Sequence, residues 1–314
     1  MKTIPLGNSI LRTTTLAYGC WRLAGTSKSE EVTESSRAQG RRAILAAYEA
    51  GYRLFDHADI YCGGMAESIF GEALREAPEM REDILVATKC GIRWAGDPEA
   101  SAPHRYDFSA RHITWSCEQS LRRLGVETID LYQLHRPDFL MDPDEVAQAF
   151  SQLKQSGKVR EFGVSNFLPS QVSALQRVCP MPLIVNQVEI SLARLDCLHD
   201  GTLDQCLADK ITPLAWSPLG GGLLAEGALQ GHQDARRGRL LPVLEAMKIL
   251  SRERETTMTV LALAWLMRHP AHIVPIIGSI RPERIREAAM ADDLGLTREE
   301  WYRLYLPARG EKLP

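Results

Sequence analysis

The chain has 314 residues, with 37 Lys+Arg against 40 Asp+Glu, a formal net charge of −3, and 45% apolar, 25% charged and 7% aromatic residues. This profile excludes a disordered, collagen-like or disulfide-dense chain. The near balance of charge gives no electrostatic reason to expect nucleic acid or an anionic membrane as partner. The seven cysteines (Cys20, Cys62, Cys90, Cys117, Cys179, Cys197 and Cys206) are odd in number and form no Cys-x-x-Cys pair, so neither a disulfide framework nor a zinc site is expected. The opening MKTIPLGNSILR has no secretory apolar core, and the most apolar long run, 257–267, has 11 residues. A bilayer span needs roughly 18–20, so the expectation is a soluble, cytoplasmic protein.

In chain order, amphipathic segments that stop at glycine alternate with short apolar runs that end in polar residues. Residues 2–12 predict a small hairpin and 14–18 a first strand. Residues 41–50 place Ile44, Ala47 and Tyr48 on one helical face, with Gly51 where a left-handed helix stop belongs. Strands follow at 52–55, ending at Asp56, and at 84–88. A helical pattern over 116–124 stops at Gly125, before a strand over 128–134 that ends at His135. Another over 146–155 stops at Gly157, before a strand over 158–164 followed by Ser165 and Asn166. Runs at 183–188, 211–216 and 273–277 complete eight strands.

Eight strands alternating with helices imply right-handed βαβ units and an α/β fold. The count fits a (β/α)8 TIM barrel that uses residues 1–314 as one domain, with the hairpin closing its lower end. An open doubly wound sheet fits less well, because no Gly-x-Gly-x-x-Gly follows the first strand. Gly220-Gly-Gly-Leu-Leu-Ala225 has the looser spacing but follows the seventh strand, and it reads as a loop. Two βα connections are long, 91–109 and 219–239, and are expected to act as functional lids on the active face.

Barrel chemistry sits at the C-terminal strand tips. Here these are Gly19-Cys20-Trp21, Asp56, Lys89, His135, Ser165-Asn166, Gln187, Trp216-Ser217 and Gly278-Ser279, with Tyr61 on the loop after Asp56. A phenol with a pKa of about 10 is a poor proton donor at neutral pH unless its anion is stabilised. A buried ammonium beside it supplies that stabilisation, a carboxylate keeps the ammonium charged, and a neutral histidine can orient a carbonyl. Singly, Asp56 also reads as an N-cap, Lys89 as a solvated strand end, Tyr61 as a packed turn aromatic and His135 as a turn residue. Their convergence on one rim is what points to catalysis.

The motifs FDHADIY (55–61), ATK (87–89), DLYQLH (130–135), GVSNF (163–167), NQ (186–187), WSPLG (216–220) and IGSIRPER (277–284) fall in order on these elements. In them the chain resembles the aldo-keto reductase superfamily over essentially its whole length. HADIY, LHRPDFLMDPDEVAQAF and GKVREFGVSNF resemble its bacterial YdhF-type oxidoreductases. The resemblance implies a tetrad, with Tyr61 as proton donor, Lys89 and Asp56 as its tuning pair and His135 as the orienting residue. It also implies a nicotinamide cofactor across the barrel mouth, NADPH in preference to NADH. Ser165, Asn166 and Gln187 would bond its carboxamide, and Trp216 would stack on its ring. Ser217, Pro218, Leu219, Gly220, Gly221 and Gly222 would wrap the pyrophosphate, and small residues there independently suit close backbone approach to phosphate. Ser279, Arg281 and Arg284, at the start of the last helix, would hold the adenosine 2′-phosphate. Gly19, Cys20, Trp21, Asp56, Ile277, Gly278 and Glu287 complete the implied cofactor contacts. Trp216 stands where many members carry tyrosine, Gly278 where many carry a phosphate-binding lysine, and Ala288 where many carry an adenine-side asparagine.

The implied activity is reduction of the aldehyde or ketone carbonyl of a small-molecule substrate to an alcohol, with Tyr61 as general acid. A rival is an NADP(H)-binding regulatory or redox-sensing subunit with little turnover; another is a phosphate-binding barrel isomerase using Ser279. No metal is expected, His269-x-x-His272 included. His57, Cys20, Cys62 and Cys90 are expected to pack. Trp21, Trp94 and Tyr106 are expected walls of a substrate pocket built by the two long loops and the C-terminal tail. Nothing demands more than a monomer.

Overall fold

The computed structural model describes residues 1–225 and 237–313. Strands β1 (Thr3–Pro5) and β2 (Arg12–Thr14) form an antiparallel hairpin. After them come β3 (Ala17–Gly19), β4 (Leu54–Asp56) and β5 (Leu85–Cys90). A two-stranded antiparallel ribbon, β6 (Ile92–Arg93) and β7 (Arg105–Tyr106), occupies the long connection after β5. The chain continues through β8 (Ile129–Leu134), β9 (Val159–Ser165), β10 (Leu183–Glu189), β11 (Thr212–Trp216) and β12 (Val274–Ile277). Strands β3, β4, β5 and β8 to β12 close into an eight-stranded barrel in which every pairing is parallel, sealed by β12 against β3. The expected (β/α)8 TIM barrel is therefore the fold.

Strand boundaries fall within a few residues of expectation. The first strand differs most, because Thr14 belongs to the hairpin, where its hydroxyl donates to the Leu16 carbonyl and accepts the Arg53 N–H. Helices Glu34–Glu49, Ala110–Leu124 and Pro143–Gln155 extend upstream of the periodic segments to caps at Thr33, Ser109 and Asp142, whose side chains accept backbone N–H groups of the first turn. Gly51, Gly125 and Gly157 have φ of +93°, +68° and +71° and end those helices as expected.

Period-2 alternation along the strands divides the barrel interior into two layers. Along β5, Leu85, Ala87 and Lys89 point inward; along β8, Leu131 and Gln133 do, with His135 next in register. The lower layer is apolar: Ala17, Leu54, Leu85, Ala87, Leu131, Val185, Leu214 and Val274 form one buried cluster. The upper layer carries the polar tips Asp56, Lys89, Gln133, Ser165 and Gln187, all buried. The hairpin plugs the lower end as expected. Leu6 is fully buried in the apolar cluster, and the Gly7 N–H donates to Thr212 Oγ1 at 2.7 Å. Gly7 has φ +56°, and a Cβ there would lie 2.3 Å from the Ile184 carbonyl oxygen, so glycine alone fits.

The helix beginning after Arg281, Pro282–Ala289, is not the last; Arg298–Arg309 follows it and packs on helix Arg237–Glu253. Trp301 in this final helix stacks on Trp265 (centroids 4.9 Å, planes 11° apart), and each indole N–H donates to the other residue's carbonyl. Among the described residues no helix is long and apolar enough to cross a membrane. Of the connection expected to form a second lid, residues 226–236 lie outside the described residues.

Candidate active site

Tyr61 follows β4 on a tight turn that ends in Gly63 and Gly64, both at positive φ, before helix Met65–Glu76. The turn brings its hydroxyl back over the barrel, where Lys89 Nζ lies 3.1 Å from Tyr61 Oη, 2.8 Å from Asp56 Oδ2 and 2.6 Å from the His57 carbonyl oxygen. Lys89 is fully buried, and these three acceptors use all three N–H bonds of its ammonium. Asp56 is held in turn by Gln187, whose Nε2 donates to Oδ1 at 2.9 Å, and more distantly by Gln133 Nε2 at 3.4 Å. The His135 ring stands 5.8 Å from the Tyr61 ring, nearly perpendicular to it, with Nδ1 buried and unbonded. The four tetrad residues are thus together.

Burial dominates the electrostatics of Tyr61. It raises the phenol above its ordinary value, with the Lys89 charge opposing and not outweighing it. This reverses the balance expected from the sequence, in which the ammonium is in control. Burial disfavours the charge on Lys89 as well, but Asp56 and Tyr61 overcome it and the lysine pKa is raised. His135 is pushed well below the usual histidine range by burial, then by the Lys89 and Arg136 charges, and is a neutral imidazole.

Beside the tetrad, Asn166 has φ +62° and forms a closed network. Its Nδ2 donates to Ser165 Oγ (2.7 Å) and to the His135 carbonyl (3.3 Å), Ser165 Oγ donates to the Gln187 carbonyl (2.9 Å), and Trp216 Nε1 donates to Asn166 Oδ1 (2.9 Å). From here a cavity of about 470 Å³ runs along the barrel mouth. It passes Trp216, Ser217, Pro218, Leu219, Gly221 and Gly222 and ends between Ile277, Gly278, Ser279, Arg284, Glu287 and Ala288. Gly221 and Gly222 have φ of +75° and +103°, and among the described residues nothing lies within 4 Å of where a Gly222 Cβ would stand, so that wall is bare backbone. The Tyr18 hydroxyl donates to the Ser279 carbonyl and braces the far end. A cleft lined by a half-buried indole and a glycine cradle fits a nicotinamide dinucleotide.

Three of the expected cofactor residues do not line this cavity. The Cys20 thiol is buried toward the Tyr18 carbonyl, the Cβ direction of Gly220 faces Ala193, and Arg281 is an exposed helix N-cap. Trp21 lines the cavity, but Trp94 and Tyr106 do not; they pack edge to face on His104 along the β6–β7 ribbon. No residue of 91–109 or of the C-terminal tail is part of the described lining. Cys20, Cys62 and Cys90 are buried, and burial raises each thiol, Cys20 and Cys90 strongly, which suits packing and not redox sensing. His57 is likewise a packing residue against Phe70, with its pKa pushed down to about 3 by burial and by Lys89. Sequence reasoning missed Gln133, Arg22, Arg136, Ala225, Thr259 and Ile276. Counting back two from His135 along an inward-facing row finds Gln133; no local pattern finds the others.

Residues 15–305 match the Aldo/keto reductase family, and the chain belongs to it. The family's members use nicotinamide cofactors generally. The chain is similar to the 6-dehydroglucose reductase of Novosphingobium aromaticivorans, at 40% identity over 315 residues, covering 98% of this chain and 96% of that protein. It is 44% identical over 266 residues to Oxidoreductase YdhF of Escherichia coli, covering 85% of this chain and 86% of YdhF. Among solved structures it resembles the glycerol dehydrogenase AKR11B4 from Gluconobacter oxydans, with a TM-score of 0.85 at 27% identity and coverage of 99% and 97%.

Proposed function

We propose that this protein is an NADP(H)-dependent carbonyl reductase, working as a single barrel domain, in which Tyr61 protonates the oxygen of an aldehyde or ketone. The observation that carries this reading is the direction of the bond between Lys89 and Tyr61. Because all three ammonium donors are directed to acceptors, Lys89 donates to Oη, and the phenol's own proton is free to turn into the cavity. Burial keeps that proton in place at neutral pH, and Lys89 stabilises the oxygen once it is given up. Asp56 holds the ammonium charged and in position, with Gln187 and Gln133 behind it.

A buried N–H without an acceptor costs more than a bare lone pair, so the unbonded Nδ1 of His135 favours the tautomer with its proton on Nε2. That proton can fix a carbonyl oxygen beside Tyr61. The nicotinamide, when bound, supplies the hydride. Ser165, Asn166 and Gln187 would hold its carboxamide, and Trp216, kept in place by its bond to Asn166, would offer its face to the ring. The bare backbone of Gly221 and Gly222, with Ser217 to Leu219, would take the pyrophosphate. Ser279 and Arg284, with Arg281 from outside the lining, would take the 2′-phosphate, which favours NADPH over NADH.

The test is a cofactor-oxidation screen over aldehydes and ketones, with NADPH and NADH in parallel and with binding followed by tryptophan fluorescence. Carbonyl-dependent oxidation of NADPH is expected. Tight NADPH binding without turnover of any carbonyl would favour the regulatory subunit instead, and failure to bind either cofactor would falsify both readings.

A further inference from the structure

The cavity end that holds Tyr61 and His135 also holds a cation that the reaction chemistry leaves unused. Arg136 follows His135 directly and lines the same cavity. Its guanidinium lies over the Trp216 ring, 5.3 Å from the centroid, and the residue is half-buried. This contact with the ring face uses none of its five N–H donors. Arg136 makes no hydrogen bond or ion pair with any described residue. In contrast, the similarly buried Arg37, Arg41, Arg81, Arg93 and Arg123 are each bonded to a carboxylate.

The surrounding charge has the same sign. Only two carboxylates line the described cavity, Asp56 and Glu287. Asp56 is committed to Lys89, and Glu287 stands at the opposite end, one helical turn from Arg284. The exposed Arg22, with its guanidinium over Trp21 and no ion pair with any described residue, adds a second cation to the lining. A fork of free donors, placed over an indole and next to the residue that would orient the carbonyl, matches the geometry of a carboxylate or phosphate oxygen pair.

We infer that the carbonyl substrates this site selects carry an oxyanion, a carboxylate or a phosphate ester, and that Arg136 receives it; the inference rests on the reductase reading above. Arg136 is then a specificity-determining residue. It acts on the non-reacting end of the substrate, so its effect falls on kcat/KM ratios between charged and neutral substrates.

The experiment compares matched pairs with NADPH: 4-oxobutanoate against its methyl ester for the carboxylate arm, and glyceraldehyde 3-phosphate against glyceraldehyde for the phosphate arm, with neutral 6-dehydroglucose alongside. In at least one arm the anion should be preferred by about tenfold or more in kcat/KM, the scale of one charge-assisted hydrogen bond. That preference should shrink as salt rises, collapse in Arg136→Gln and survive in part in Arg136→Lys, with melting temperatures confirming that both variants fold. Equal use of both members in both arms overturns the inference. So does an anion preference that persists in Arg136→Gln, or 6-dehydroglucose outperforming every anion. Turnover of no carbonyl at all overturns the reductase reading itself, and the inference with it.

Discussion

Replacing Asp56 by asparagine removes one charge and changes almost no volume, so its consequences are electrostatic. The carboxylate accepts from Lys89 on one oxygen at 2.8 Å and from Gln187 on the other at 2.9 Å. An amide has a single oxygen. Whichever way the introduced amide turned, its NH2 would face a donor, either the ammonium or the Gln187 amide. Removing one side of a buried ion pair costs about 3–5 kcal/mol. At about 2 °C per kcal/mol for a long chain, the melting temperature should fall by about 6–10 °C. The lysine responds too. Its pKa is raised only because Asp56 and Tyr61 outweigh burial, so without Asp56 it moves down. A group with a raised folded pKa contributes stability below its unfolded pKa and loses it as pH climbs through the folded one; for Lys89 that window lies above the ordinary 10.5. In Asp56→Asn deprotonation enters at lower pH, and the alkaline limb of the turnover profile should move down with it. Differential scanning calorimetry and a pH–rate profile from about pH 6 to 12 read both effects. A variant that melted within about 2 °C of the parent and kept its alkaline limb would refute the reasoning.

Two further perturbations probe other parts of the molecule. Asp59 accepts from Ser116 on one oxygen while the other is buried and unbonded, and burial pushes its pKa from 3.8 up to about 7. Its contribution to stability is complete below about pH 4 and is lost as pH rises through 7, so Asp59→Asn should melt higher than the parent at pH 8 and show a flatter stability profile between pH 4 and 7; a variant less stable than the parent at pH 8 would contradict the burial argument. Arg284→Gln should weaken NADPH relative to NADH by about tenfold in fluorescence titrations, the scale of an exposed arginine–phosphate contact, and an unchanged ratio would remove Arg284 from the 2′-phosphate site.

Much of this architecture is legible along the chain because period-2 rows and glycine helix stops are local signals. Lys89, Asp56 and His135 could be read as rim residues from the strands that carry them. The β6–β7 ribbon could not, since two-residue strands have no period. The directions of Trp94, Tyr106 and Arg136 were equally hidden, because a loop position fixes no side-chain direction. Trp94 and Tyr106 pack on His104, while Arg136 finds the face of Trp216 from eighty residues away in sequence. Arg281 and Arg284 differ for a similar reason: both are exposed, but one caps a helix and the other, a turn later, reaches the cavity. The balance at Tyr61 is also a property of the fold, since only the depth of burial decides whether the phenol or its lysine neighbour controls the proton.

The central claim is that Tyr61 delivers the proton, and the most direct measurement is NADPH oxidation by Tyr61→Phe on the parent's best carbonyl, with NADPH binding titrated on the same preparation. The ring stays, Lys89 loses one acceptor, and the donor is gone. Turnover should fall by about 10²–10⁴-fold while NADPH affinity stays within a few-fold of the parent. Reduction at the parent rate would contradict the account.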